Sequence, residues 1–157
     1  MLDYRAMHVA FSEKPAVALD PRSLHGGAEI LPRFSHRIRA GFPSPAADYV
    51  EPALSLSDHL IVQGHEDATF ILRVEGHSMF PTVQDGDEII VDRALTAKKG
   101  SIVVAIVNAE LTIKRIGEIQ GKVALIPDNP RFTPYTLKDG ETLEVWGVVT
   151  RCLRFVR

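Results

Sequence analysis

Short apolar runs alternate with turn-forming residues along the chain from residue 68 onward. Six runs have the length and the β-branched and aromatic content of strands, at residues 69–74, 88–92, 101–107, 111–116, 122–126 and 143–150. The breaks between them are typical of turns, namely Asp85-Gly86-Asp87, Lys99-Gly100, Asn108-Ala109, Gln120-Gly121, Asp128-Asn129-Pro130 and Asp139-Gly140. The pattern predicts a mainly β fold, either a compact sandwich or a partly open barrel. One short helix is predicted at residues 54–60, with Ser55 or Ser57 as its N-cap.

The first part of the chain has a different pattern, because six of the ten prolines lie within its first 56 residues. Each proline fixes its own φ angle and removes a backbone donor. An extended arm is therefore expected there, and long regular elements are not. The sequence thus predicts an arm that precedes a β domain beginning near residue 68.

The composition is that of an ordinary globular chain, with 157 residues of which 45% are hydrophobic and 24% charged. The net charge of −2 excludes the strong positive field of a non-specific nucleic-acid binder. The single cysteine, Cys152, excludes an internal disulfide framework and a multi-cysteine metal site. No run approaches the roughly 18 apolar residues of a membrane span, and the first twenty residues lack the pattern of a signal peptide. We expect a cytoplasmic protein that does not bind membranes.

A serine that follows the first predicted strand of the β domain is a candidate nucleophile. Ser78 lies in the segment 74–82, where a loop can expose a side chain above a rigid sheet. A turn serine that bonds to its own backbone is the alternative. A serine hydroxyl needs a base at neutral pH. His77 directly precedes it, but neighbours on an extended segment point to opposite faces, so His77 is a poor candidate for that base.

Lys114 is the other candidate base. Alternation along the predicted strand at 111–116 places Lys114 on the same face as Thr112 and Ile116, and Arg115 on the opposite face. Burial in an apolar site would favour the neutral amine of the lysine and lower its pKa. A lysine on the solvated face of an edge strand is the alternative interpretation.

Five segments together form a pattern that no single residue carries. They are Gly76-His77-Ser78-Met79, Asp85-Gly86-Asp87-Glu88-Ile89-Ile90-Val91, Gly100-Ser101-Ile102-Val103-Val104-Ala105, Thr112-Ile113-Lys114-Arg115 and Leu125-Ile126-Pro127-Asp128-Asn129. From Thr69 to the C-terminus, this pattern resembles the self-cleaving serine/lysine peptidases of the LexA and UmuD family. The resemblance implies that Ser78 is the nucleophile and that Lys114, 36 positions later, is its general base. It also implies the compact β peptidase domain of that family, here at residues 68–157.

Upstream, the segment 40–51 resembles the sequence that follows the scissile bond in UmuD-type mutagenesis proteins. A small residue followed by glycine is the cleavage dipeptide of the family, which implies cleavage between Ala40 and Gly41. Two residues with little or no side chain also let the backbone enter a narrow cleft. The implied organisation is an N-terminal arm at residues 1–40 that self-cleavage removes, a linker at 41–67 and the peptidase domain. The arm is longer than is typical of UmuD-type proteins.

The resemblance also implies partners. UmuD-type proteins form homodimers, their self-cleavage is stimulated by RecA filaments on single-stranded DNA, and the processed dimer joins a UmuC-type Y-family DNA polymerase. By this analogy the chain is a regulatory subunit for error-prone translesion synthesis in the SOS response to DNA damage, and its substrate is itself. The chemistry needs no metal or cofactor. The C-terminal run at residues 143–156 is either a dimer edge or an ordinary core strand.

Two other functions fit parts of the pattern. A LexA-like or phage-type repressor has the same peptidase domain, but it needs a helix-turn-helix before the cleavage site. Forty residues with three prolines, a glycine pair and a net charge of +2 leave little room for three packed helices, so no direct sequence-specific DNA binding is expected. A non-catalytic β domain that only binds partners is the second alternative, and a pH-dependent cleavage assay would distinguish it from a peptidase.

Overall fold

The computed structural model describes residues 30–34, 50–138, 141 and 143–156, with side chains from Ser55 onward. These residues fall into two compact units, one within residues 19–66 and the other from Asp67 onward. The scissile bond predicted between Ala40 and Gly41 lies outside the described residues. No helix in the described ranges is long and apolar enough to cross a membrane.

The unit within residues 19–66 is a strand pair followed by one short helix. Strand β1 (Ile30–Phe34) pairs antiparallel with β2 (Val50–Ser55), and their register shifts between Leu31 and Arg33. Pro32 lies at that shift, where a residue without a backbone donor interrupts the ladder. The proline-rich first 56 residues therefore include two strands that the sequence pattern did not predict.

Helix α1 (Leu56–Leu60) follows β2 directly. The Ser55 side chain accepts a hydrogen bond of 3.4 Å from the Asp58 backbone N–H, so Ser55 is the N-cap, as one of the two predicted options had it. The helix begins two residues later than predicted, because Leu54 and Ser55 belong to β2.

The second unit contains a seven-stranded sheet with strand order β3-β4-β9-β5-β6-β7-β8, and every neighbouring pair is antiparallel. A 3-10 turn (Glu66–Ala68) leads into it. The strands are β3 (Thr69–Arg73), β4 (Glu88–Asp92), β5 (Ile102–Val107), β6 (Glu110–Ile119), β7 (Lys122–Ile126), β8 (Tyr135–Thr136) and β9 (Glu144–Leu153). The predicted mainly β fold is confirmed, and the sheet is open rather than a closed barrel.

The buried core forms two clusters on opposite faces of this sheet. Alternation along β5 separates them, because Val104 belongs to the first cluster while Val103 and Ala105 belong to the second. The first core cluster comprises Val74, Met79, Val83, Ile89, Val91, Val104 and Trp146. The second core cluster comprises Val103, Ala105, Ile116, Leu125, Leu143, Val145 and Val148.

Strand β9 joins the two halves of the sheet. Its first half pairs with β5, from Glu144 to Val148, and its second half pairs with β4, from Val148 to Leu153. The C-terminal run predicted as either a dimer edge or a core strand thus contains a central strand. Beyond Val148, β9 no longer pairs with β5.

Candidate active site

The loop between β3 and β4 carries Ser78. It is closed by two backbone hydrogen bonds, from Val74 to the Asp87 carbonyl at 2.8 Å and from Gly86 to the Val74 carbonyl at 2.9 Å. Gly76 has a φ of +95°, a conformation that side chains disfavour, and its N–H donates to Asp85 Oδ1 at 2.7 Å. The chain therefore turns at Gly76, two residues before the serine.

The residue after the serine anchors this loop in the core. Met79 and Val83 are each only 1% exposed and belong to the first core cluster, and the Val83 N–H donates to the Met79 carbonyl at 3.0 Å. Phe80 N–H donates to the His77 carbonyl at 3.2 Å, and the Phe80–Pro81 peptide is cis. The Ser78 hydroxyl is thus presented by a turn that Met79 and Val83 anchor in the core, while Phe80 is 49% exposed.

Strand β6 supplies Lys114. Its cross-strand partner on β5 is Val103, which is fully buried. The Lys114 Nζ lies 3.0 Å from Ser78 Oγ, 2.9 Å from Thr112 Oγ1 and 2.8 Å from the Ile113 carbonyl oxygen. The structure therefore brings together the two residues that the sequence singled out 36 positions apart, and Thr112 shares the face of Lys114 as alternation predicted.

Burial lowers the pKa of the Lys114 amine below its ordinary value, because desolvation penalises the charged form. Among the described residues, no carboxylate forms an ion pair with Lys114 that would reverse this effect. The surroundings of the amine therefore favour its neutral form, which is the form that can accept a proton.

The next residue on β6 points away from the serine and lysine. Arg115 donates to both oxygens of Asp128, from Nε at 2.8 Å and from Nη2 at 2.6 Å, and its Nη1 donates to the Gly100 carbonyl at 2.7 Å. The Thr82 hydroxyl donates to Asp128 Oδ2 at 2.6 Å. The Arg115 hydrogen bonds, together with that of Thr82, hold the pKa of the Asp128 carboxyl below its usual range.

Asn129 contacts the serine turn from the other side. It is 8% exposed, its backbone N–H donates to the Ser78 carbonyl at 3.1 Å, and its side-chain Nδ2 donates to the His77 carbonyl at 2.8 Å. The sequence identified Asp128 and Asn129 only as turn residues after β7. Their contacts with residues about fifty positions away have no signal in a single sequence.

His77, the other candidate base, is an exposed residue of the loop that carries the serine. The polar partner found for the Ser78 hydroxyl is Lys114, whereas His77 is exposed and takes part through its backbone carbonyl. An open pocket of about 530 Å³ lies elsewhere, beside the β5–β6 turn, and its lining includes Asn108 and Tyr135. Neither Ser78 nor Lys114 lines this pocket.

Comparison with known proteins places the chain in a family. The model of the family described as Peptidase S24-like matches residues 32–150. Protein MucA of Salmonella typhimurium is 44% identical over 125 residues, covering 78% of this chain and 84% of MucA. Protein ImpA of Shigella flexneri is 41% identical over 132 residues, covering 82% of this chain and 86% of ImpA. The LexA repressor of Bordetella petrii is 34% identical over 119 residues, covering 75% of this chain but 52% of the repressor.

A mainly β fold with these matches defines a serine peptidase of the self-cleaving kind. The chain belongs to the Peptidase S24-like family, and within it to the UmuD-type proteins. The resemblance seen in the sequence is thereby confirmed, together with the general role in SOS mutagenesis that it implied.

Proposed function

We propose that this chain is a self-cleaving regulatory subunit of an error-prone translesion DNA polymerase, and that Ser78 and Lys114 cut its own bond between Ala40 and Gly41. The observation that carries the proposal is the 3.0 Å contact between Lys114 Nζ and Ser78 Oγ, at an amine whose burial favours the neutral form. A general base must lie within hydrogen-bond reach of the proton that it removes, and this one does.

The hydrogen-bond partners of the lysine also suit a base. A neutral amine has two N–H donors and one lone pair. Thr112 Oγ1 and the Ile113 carbonyl can accept the two N–H groups, which leaves the lone pair for the Ser78 hydroxyl proton. The two acceptors thereby orient the amine for proton transfer rather than for an ion pair.

In the proposed reaction, Ser78 Oγ attacks the Ala40 carbonyl carbon while its proton passes to Lys114. The tetrahedral intermediate collapses, the bond from Ala40 to Gly41 breaks, and the lysine returns the proton to the leaving amine of Gly41. Water activated by the same lysine then hydrolyses the ester on Ser78. The products are residues 1–40 and 41–157.

Backbone donors near the serine are available for the oxyanion. The N–H groups of Ser78 and Met79 do not act as donors in the backbone hydrogen bonds found among the described residues, whereas that of Phe80 does. Free N–H groups beside the nucleophile are what stabilises a developing negative charge on the attacked carbonyl oxygen.

The scissile bond lies in the sequence between two paired strands. Strand β1 ends at Phe34 and β2 begins at Val50, so cleavage after Ala40 separates the two strands covalently. After cleavage, only non-covalent pairing would connect β1 to the rest of the chain. Release of the 1–40 fragment can then change the surface offered to partners.

The proposed partners follow from the similarity to UmuD-type proteins and from the C-terminal strand. A RecA filament on single-stranded DNA would stimulate cleavage in the cytoplasm, and the processed homodimer would join a UmuC-type Y-family polymerase. Beyond Val148, strand β9 has pairing with β4 on one side, and it leads to Phe155 and Val156, which are 83% and 90% exposed. An exposed apolar tail after such a strand supports a dimer contact there.

The test is intact-mass spectrometry of the purified chain at neutral and alkaline pH, with and without RecA filaments. We expect a new mass for residues 41–157, formed faster at alkaline pH or with filaments, and absent in Ser78→Ala and Lys114→Ala. Lys99→Ala is the matched control, because Lys99 is an exposed lysine that forms an ion pair with Glu118 and not a hydrogen bond with Ser78. Normal cleavage by Lys114→Ala would refute the assigned base. An unchanged mass under every condition would leave a binding domain without peptidase activity.

A further inference from the structure

We propose that the consecutive residues Asp128 and Asn129 form a positioning brace that holds the Ser78 turn against strand β6, and thereby keeps the serine within reach of the lysine. The inference rests on the proposed function for its catalytic consequence, and on contacts among described residues for its geometry. Neither residue contacts the reacting atoms, so both are positioning residues.

Asn129 is the side of the brace that holds the start of the serine turn, at His77 and Ser78. Its Nδ2 donates to the His77 carbonyl at 2.8 Å and its backbone N–H donates to the Ser78 carbonyl at 3.1 Å, so both peptide units around the serine are fixed. Its own Oδ1 accepts from the Arg131 N–H at 3.0 Å, which holds the amide in one orientation. Because Asn129 is only 8% exposed, water replaces these hydrogen bonds poorly if the side chain is removed.

Asp128 is the side of the brace that holds the end of the serine turn, at Thr82. Its Oδ2 accepts from the Thr82 hydroxyl at 2.6 Å, four residues after the serine. The same carboxylate accepts two hydrogen bonds from Arg115, the residue that follows Lys114 on β6. One carboxylate thus links the end of the serine turn to the strand that carries the base.

Both sides of the brace act on the distance between Ser78 Oγ and Lys114 Nζ. The serine belongs to the loop between β3 and β4, whereas the lysine belongs to β6, and in the strand order β4 and β6 are separated by β9 and β5. Sheet pairing therefore does not hold the two side chains together directly. Polar contacts from the turn after β7 supply that connection. Because proton transfer needs hydrogen-bond reach, a shift of about 1 Å can cost up to a hundredfold in rate.

The experiment compares Asn129→Ala and Thr82→Val with Thr150→Val. The control removes a threonine hydroxyl whose 3.3 Å bond goes to the Ile90 carbonyl in the β4–β9 pair, outside the brace. Self-cleavage is followed across pH, at a temperature where the matching Ser78→Ala double variants are fully folded. We expect the limiting rate to fall between about tenfold and a hundredfold in Asn129→Ala, and severalfold in Thr82→Val, with the midpoint of the pH profile unchanged. The control should match the unsubstituted chain.

A second measurement does not depend on cleavage. In a Ser78→Cys, Cys152→Ser chain, the single thiol reports on Lys114, because a neutral amine within reach can accept the thiol proton, and the ammonium group so formed stabilises the thiolate and lowers the pKa of the thiol. Adding Asn129→Ala or Thr82→Val should move the pH midpoint of iodoacetamide alkylation upward by about one pH unit, whereas adding Thr150→Val should not. If the unsubstituted chain never cleaves, the proposed function fails while this titration still tests the brace. Folded brace variants that match Thr150→Val in both assays would overturn the inference.

Discussion

At the scale of single residues, the proposed reaction depends on one lysine being neutral. Lys114 lies opposite the buried Val103, and burial lowers the pKa of its amine. The cost of that arrangement is paid in stability, since a folded state that disfavours the ammonium form binds fewer protons than the unfolded chain. Reactivity and stability are therefore both expected to depend on pH through this one group.

The rate of self-cleavage should rise with pH, because only the neutral amine accepts the serine proton, and its midpoint should lie below the ordinary lysine pKa of about 10.4. In the uncleaved Ser78→Ala chain, the unfolding free energy should also rise with pH between the lowered pKa and the ordinary pKa. Urea unfolding at a series of pH values measures this rise, and Lys114→Met in the same background should remove it. A rate that is independent of pH would contradict the role of the amine.

Thr112 is expected to orient the amine. Thr112→Val deletes the acceptor that lies 2.9 Å from Lys114 Nζ and preserves the shape of the side chain. Losing one such hydrogen bond is worth about 1 kcal/mol, so the limiting cleavage rate should fall by roughly five- to tenfold. The midpoint of the pH profile should not rise, because removing an acceptor disfavours the charged form. Intact-mass time courses measure both quantities, and an unchanged limiting rate would show that Thr112 does not orient the base.

At the scale of elements, the hairpins around β6 set the register that places Lys114. Val107 pairs with Glu110 and Ile119 pairs with Lys122, so both connections are two-residue turns. The central residues all have positive φ, at 50° and 67° for Asn108 and Ala109, and at 52° and 77° for Gln120 and Gly121. These are the left-handed turns that match the twist of antiparallel strands. Sequence analysis predicted both turns, because turn residues separate the alternating runs.

Each turn holds one residue that is strained at positive φ, Ala109 in the first and Gln120 in the second, and Ala109 occupies a position that favours glycine. Ala109→Gly should relieve that strain by about 1–2 kcal/mol and lose about 0.5–1 kcal/mol through the greater freedom of the unfolded chain, for a net gain between about 0 and 1.5 kcal/mol. Urea unfolding of the Ser78→Ala chain measures the gain. Gly121→Ala is the reciprocal change and should destabilise. A loss of stability in Ala109→Gly would contradict the turn geometry.

The separation of two interacting residues along the chain decided whether their contact could be predicted from the sequence. Strands and hairpin turns depend on neighbours within a few residues, so β3 to β7 and β9 were predicted to within a few residues. Strand β8 was missed because two residues carry no period, and β1 and β2 were missed because Pro32 and Pro52 obscured them. The pairing of Ser78 with Lys114 was predicted from a resemblance. The contacts of Asn129 were not predicted, because the preference of a turn for asparagine says nothing about a carbonyl 52 positions away.

At the scale of the whole molecule, the C-terminal segment is tied back to the loop that carries the serine. Asp87 is 3% exposed and accepts two hydrogen bonds from Arg154, 67 positions later, and one from the Gln84 N–H at 2.7 Å. The Arg154 hydrogen bonds hold the pKa of the Asp87 carboxyl well below its usual range. A carboxyl with a lowered folded pKa stabilises the fold above its unfolded pKa of about 3.9, and this contribution is lost as pH falls through the folded pKa.

Arg154→Ala should lower the unfolding free energy by about 1–3 kcal/mol at neutral pH, because it leaves a buried carboxylate with fewer donors. The difference from the unsubstituted chain should narrow below about pH 4, where Asp87 in the variant becomes protonated. Urea unfolding at pH 7 and pH 3 measures both values. Arg151→Ala is the matched control, since Arg151 is exposed and donates to its neighbour's carbonyl. Equal losses in the two variants would contradict a specific tie to Asp87.

The second unit should fold without the residues before it, because all seven strands of its sheet and both core clusters lie between residues 69 and 153. Trp146 is the single tryptophan, is 8% exposed, and packs against Phe70 with ring centroids 5.3 Å apart, so its fluorescence reports on the first core cluster. A chain of residues 67–157 should therefore show a cooperative thermal transition by tryptophan emission and by circular dichroism, with coincident midpoints. The full-length Ser78→Ala chain is the reference. A fragment with exposed tryptophan emission and no transition would contradict this independence, and would mean that residues among the first 66 are needed to complete the core.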